Sequence, residues 1–165
     1  MKIKITSDST CDLSPELLRE NDIELFPLFI NKGDESFRDG VDIQPADIFA
    51  HVAAGGALCS TAAVPVGVFH DRFAELAKEY DAVFHVNIGS GFSASHQNAV
   101  LAAEDLPNVY VIDSRNLSTG QGHVVLEGLD DVRLDGILQQ RRHGALGLEV
   151  MGRDRHTVIG IGHYH

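Results

Sequence analysis

The chain is short of cysteine, tryptophan and positive charge. Its 165 residues include no tryptophan and two cysteines, Cys11 and Cys59. Two thiols so far apart provide neither a disulfide framework nor a zinc site built from cysteine pairs. Each reads as a small buried side chain. Lysine and arginine number 13 against 24 aspartates and glutamates, a formal net charge of −11. Nucleic-acid binding needs clustered cations that release counterions from phosphates, and the cations here are dispersed, so no nucleic-acid partner is expected. Attraction to an anionic membrane is disfavoured for the same reason. No apolar run approaches the roughly 18 residues of a membrane span. The N-terminus, Met1 to Ile5, enters a strand pattern without a leader-like apolar stretch, so a cytoplasmic location is expected.

The rest is ordinary globular composition, 44% hydrophobic and 22% charged. This length suits one domain that buries about two-thirds of its unfolded surface. Lys2 to Thr6 alternates as a strand, and the loop Ser7-Asp8-Ser9-Thr10 follows. Ser14-Pro15-Glu16 starts a helix, with Ser14 as cap and Pro15 in the first turn. Ile23 to Ile30 reads as one strand that Pro27 confines to an edge or bulges. Glu35 to Val41 pairs back as a hairpin arm, and Pro45 to Ala54 has helical spacing. Leu58 to Val64 reads as an uncharged loop. Val66 to Tyr80 is the clearest amphipathic helix, with Phe69, Phe73, Leu76 and Ala77 on one stripe. Strands at Asp81 to Ile88 and Asn108 to Ile112 flank a helix at Ser95 to Glu104, and another helix begins near Leu117 or Ser118. Such alternation predicts an α/β domain with a parallel sheet and helices on both faces.

In a sheet of this kind ligands bind beyond the carboxyl ends of the strands, where the loops after Thr6, Ile88 and Ile112 fall. Hydroxyls and free N–H groups at a strand-to-helix turn suit an anion. With no lysine or arginine in the loops after Thr6 and Ile88, they suit one carboxylate better than a polyphosphate. A single such loop is explained well enough by helix capping and turn closure. Three at one sheet edge point to a site.

The competing chemistries are poorly supported. No phosphate-binding Gly-x-x-x-x-Gly-Lys sequence occurs, and Gly120-Gln121-Gly122 begins a dinucleotide fingerprint that lacks its third glycine at Val125. Gly91-Phe92-Ser93-Ala94-Ser95 approximates an esterase elbow, with Asp113 and His123 as the available triad partners. A serine hydrolase using Ser93 is therefore the main alternative. A domain that folds or associates without binding anything is the third. Of nine histidines, His163, His165 and nearby His156 are the closest group, in a tail with no evident core, and no metal or other cofactor is expected.

Four stretches together resemble the DegV family: Ser7 to Leu13, Ser60 to Pro65, Ser90 to Ala99 and Val111 to Gly122. The resemblance covers residues 1–125 and implies a bacterial fatty-acid-binding protein, not an enzyme itself, with the acyl chain in a tunnel between two domains. It also implies an acyl-presenting role toward a separate fatty acid kinase subunit. Carried over, the carboxylate contacts are Ser60 or Thr61 and Ser90 or Ser93, with Ser9, Gly91 and Phe92 in the same loops. Here Gly89 stands where the family often has a serine and Ala94 where glycine is usual, so the choice of serine stays open. Burial of about 14 methylenes would give on the order of 11 kcal/mol gross, much reduced by ordering. Phe26, Phe29, Ile30 and Phe92 are candidate wall residues.

Beyond Leu126 the resemblance ends. Residues 126–165 contain no lysine and hold most of the arginines, and they read as a truncated or atypical second domain with a short helix at Asp135 to Arg142 and a strand at Thr157 to Ile161. Without a full second domain, the implied tunnel is open on one side and self-association is expected.

Overall fold

The computed structural model describes residues 2–141, with only the helical path given for 131–141. The tail strand and the histidines at 156, 163 and 165 lie outside the described residues. Four parallel strands form the main sheet: β1 (Ile3–Asp8), β2 (Glu24–Phe26), β6 (Ala82–Asn87) and β7 (Val109–Asp113), in the order β2-β1-β6-β7. A smaller antiparallel sheet contains β3 (Phe29–Lys32), β4 (Glu35–Arg38) and β5 (Ser60–Ala62), in the order β4-β3-β5. The helices are α1 (Pro15–Glu20), α2 (Pro45–Ala53), α3 (Val66–Glu79), α4 (Ser95–Ala102) and α5 (Thr119–Arg141).

Alternation along the strands divides the core in two, as the period of a strand requires. Val83 and Val109 face α3 and α4, packing on Phe69, Phe73, Leu76, Ala99 and Ala102. Ile5 and Val86 face the opposite side, where Leu18 of α1 and Val125 and Leu129 of α5 cover them. Helices therefore lie on both faces of the sheet, and the α3 stripe is buried as its spacing predicts. Arg72 of α3 fixes the edge strand β2 through a bidentate pair with Glu24, at 2.6 and 2.9 Å.

Four local expectations are corrected. Strand β1 runs two residues past Thr6, because Ser7 and Asp8 keep parallel register with Leu25 and Phe26. The apolar run at 23–30 is two strands in two sheets. β2 is the edge strand expected beside Pro27, but the chain leaves the main sheet there and re-enters the small one at Phe29. The uncharged stretch at 58–64 is not all loop, since Ser60 to Ala62 pair antiparallel with Phe29 to Asn31. The short tail helix is not separate, because α5 continues unbroken from Thr119 to Arg141. Val125 and Leu129 both belong to the second core, so α5 packs on the sheet on either side of residue 126. Among the described residues no helix is long and apolar enough to cross a membrane.

Candidate functional site

The carboxyl ends of β1, β6 and β7 meet the small sheet at an apolar cleft of about 570 Å³. Leu28, Ile88, Phe92 and Leu117 provide its greasy wall, and Thr10, Thr61 and Ser93 its hydroxyls. Thr61 reaches the cleft because β5 pairs with β3, where it sits opposite Ile30. Ser60, its neighbour on the strand, points to the other face, is exposed and does not line the cleft.

The β5 side and the loop after β6 are tied together by α4. Ser95 Oγ accepts the Val64 N–H at 3.2 Å, and Asn98 Nδ2 donates to the Val64 carbonyl at 2.8 Å. This pair of bonds brings Thr61 and Ser93 to one cavity. Neither Ser95 nor Asn98 was singled out by sequence reasoning, because a polar residue in a helix's first turn reads as a cap. Ser93 Oγ accepts from Ser95 N–H at 3.1 Å and donates weakly to Ser95 Oγ at 3.2 Å, so its proton is easily redirected to a ligand.

Ser90 is oriented elsewhere. Its hydroxyl donates to Asp113 at 2.7 Å and its N–H donates to the same carboxylate at 3.0 Å. Those bonds, with one from the Arg115 N–H, hold the Asp113 carboxyl below its ordinary range against the opposing effect of burial. Asp113 thus closes the junction between the loops after β6 and β7. Gly89 permits that junction: a Cβ there would meet the Arg115 backbone at 3.0 Å. Ser9 is likewise engaged, donating to Asp39 at 2.7 Å and accepting from Leu28 N–H at 3.2 Å, and it faces a neighbouring groove of about 420 Å³. Gly91 and Phe92 form the exposed tip of the loop, and Phe92 reaches the cleft. Of the other proposed wall residues, Phe26 is buried in the core against Phe69 and Phe73, on the α3 face of the sheet. Ile30 is buried and Phe29 half-buried, and neither lines the cleft; Leu28 does.

The triad partners are not assembled around Ser93. Asp113 is committed to Ser90, and His123 is exposed on α5. Among the described residues no group of three histidine, cysteine, aspartate or glutamate side chains could hold a metal ion.

This architecture is that of an α/β domain whose polar loops gather at the carboxyl edge of a parallel sheet, beside an apolar cleft. A family model described as "Uncharacterised protein, DegV family" matches residues 2–132, and the chain belongs to the DegV family. A DegV domain-containing protein of Clostridium perfringens is 35% identical over 153 residues, covering 86% of this chain and 54% of that protein. A DegV domain-containing 15.5 kDa protein of Staphylococcus aureus is 30% identical, covering 79% of this chain and 93% of that one. Apart from that small protein, the chain spans about half the length of the curated relatives it matches. Among solved structures, a DegV family protein of Thermus thermophilus, described by its fatty acid binding, superposes with a TM-score of 0.75 at 30% identity over 85% of this chain and 52% of that one. A stearic-acid-binding protein of Eubacterium ventriosum gives 0.72 at 31% identity, covering 81% and 48%.

Proposed function

We propose that this chain binds a long-chain fatty acid in the cleft, with the hydroxyls of Thr61 and Ser93 donating to its carboxylate. The observation that carries the reading is that these two side chains open onto one cavity whose remaining wall is, apart from Thr10, apolar. A carboxylate leaving water needs replacement donors, and the methylenes behind it gain about 0.8 kcal/mol each when buried. The volume lies within the roughly 300–1,000 Å³ of small-molecule sites. The fatty-acid and stearic-acid binding described for the Thermus and Eubacterium relatives supports the same ligand class. With the exposed Phe92 as one wall, the cleft covers only part of an acyl chain, so affinity is modest unless a further surface closes it.

Presentation of the bound acid to a fatty acid kinase subunit is the role we assign it, on the support of the family resemblance. Exposed apolar side chains, Leu58 at 85% and the cleft residue Phe92 at 64% exposure, support association with a partner or a second copy. Native mass spectrometry of protein purified from bacteria is expected to show a co-purified fatty acid, and palmitate is expected to raise the melting temperature. A ligand-free spectrum with no palmitate-induced shift would refute the reading.

A further inference from the structure

Asp8 ends β1 with its side chain fully buried. Among the described residues no lysine or arginine forms an ion pair with it. A buried carboxylate without a cation is stable only if donors replace the water it lost. Five do so, from four residues in three parts of the fold. Oδ1 accepts from the Thr10 N–H at 3.0 Å, the Thr10 hydroxyl at 2.5 Å and Gln121 Nε2 of α5 at 3.1 Å. Oδ2 accepts from the Ile88 N–H at 2.6 Å and from Asn87 Nδ2 at 3.2 Å. Gln121 is itself fully buried and also donates to Ser7 Oγ at 3.1 Å.

We propose that Asp8 is the positioning residue of the cleft, holding Thr10 and the start of the Ile88-to-Ser93 loop in place through one carboxylate. A residue that only closed its own turn would need Thr10 alone. Asp8 instead reaches the first residue of the loop that carries Phe92 and Ser93, and it reaches α5 as well. Two of its partners, Thr10 and Ile88, line the cleft. The arrangement also sets the polarity of the wall. The acceptors within reach of the Thr10 hydroxyl, Asp8 Oδ1 and Gln121 Oε1 at 2.8 Å, both lie inward, so its one proton points away from the cleft and the donors for a carboxylate are left to Thr61 and Ser93. The effect on ligand binding rests on the fatty-acid reading; the effect on loop order does not.

The test compares the full chain with Asp8→Asn and with the exchange Asp8→Asn/Gln121→Glu, in which the amide at 8 donates to a carboxylate at 121. Palmitate affinity is read by calorimetry, and amide exchange in the ligand-free protein by mass spectrometry. Asp8→Asn is expected to weaken palmitate about tenfold and to speed exchange at 88–95 while α3 stays protected. The exchange variant is expected to recover most of both. If Asp8→Asn does not melt cooperatively, Gln121→Met replaces it, expected to weaken palmitate about threefold and to lower the melting temperature while unfolding stays cooperative. Wild-type-like binding and exchange would overturn the proposal, as would loosening of α3 in step with 88–95. Absence of palmitate binding by the wild type would overturn the fatty-acid reading instead, leaving exchange at 88–95 to judge Asp8.

Discussion

Acid should weaken this fold through His85. The His85 ring is fully buried, with the rings of Phe26, Phe69 and Phe73 at centroid distances of 4.9, 5.1 and 5.2 Å. Nδ1 lies 2.8 Å from Thr6 Oγ1, and Nε2 has no hydrogen-bond partner among the described residues. Protonation would place an imidazolium among three phenyl rings with one N–H unanswered. Burial therefore pushes the pKa from 6.5 to about 3, the Asp8 carboxylate opposing the shift and His96 adding to it. Above the unfolded value both states are neutral and pH has no effect through this group. Below it the unfolded chain takes up a proton that the folded one refuses, so stability falls as pH drops through the window from 6.5 towards 3. The slope is at most about 1.4 kcal/mol per pH unit, or about 2 kcal/mol between pH 6.5 and 4.5. Half-buried His96, also shifted down by burial, acts in the same direction. Urea unfolding at several pH values in this range, on wild type, His85→Gln and His96→Gln, separates the contributions. His85→Gln should lower stability at every pH through lost packing, yet flatten the slope by about 1 kcal/mol per pH unit. Parallel profiles for wild type and His85→Gln would refute the reasoning.

Ser93→Ala and Thr61→Val should each weaken palmitate about tenfold in a calorimetric titration, since each removes a donor to the carboxylate. Ser90→Ala should leave that affinity unchanged and instead lower stability by about 1 kcal/mol, because its hydroxyl serves Asp113. Two glycines of α5 should respond in opposite ways in a melting assay. A Cβ at Gly122 would meet the Cys11 carbonyl at 2.6 Å, so Gly122→Ala should cost about 1–3 kcal/mol, whereas a Cβ at Gly128 meets nothing within 4 Å among the described residues and Gly128→Ala should gain about 0.5–1 kcal/mol.

The helices and buried strands were readable because periodicity reports directly on which face is covered. Phe69, Phe73 and Leu76 recur at helical spacing and all face the sheet; Ala82 to Asn87 is nearly continuous in its burial. Strand β5 escaped notice because Thr61 is the one strand-favouring residue between Ser60 and Ala62, and pairing with β3 makes the three a strand. The break at Pro27 was legible as an edge signal, but not as a change of sheet, which depends on where β3 finds its partners. At the site, the right loops could be named from the sequence, whereas the division of labour within them could not. Ser90 and Ser93 are three residues apart and chemically alike; only the position of Asp113 shows that one is occupied. Asp8 was one member of a polar loop until its five donors, spread from Thr10 to Gln121, were in view.

A crystal structure of the chain with palmitate tests the central claim most directly. The carboxylate is expected within hydrogen-bond distance of Thr61 and Ser93, with the acyl chain along Leu28, Ile88, Phe92 and Leu117. Palmitate bound elsewhere, or an empty cleft at saturating ligand, would contradict it.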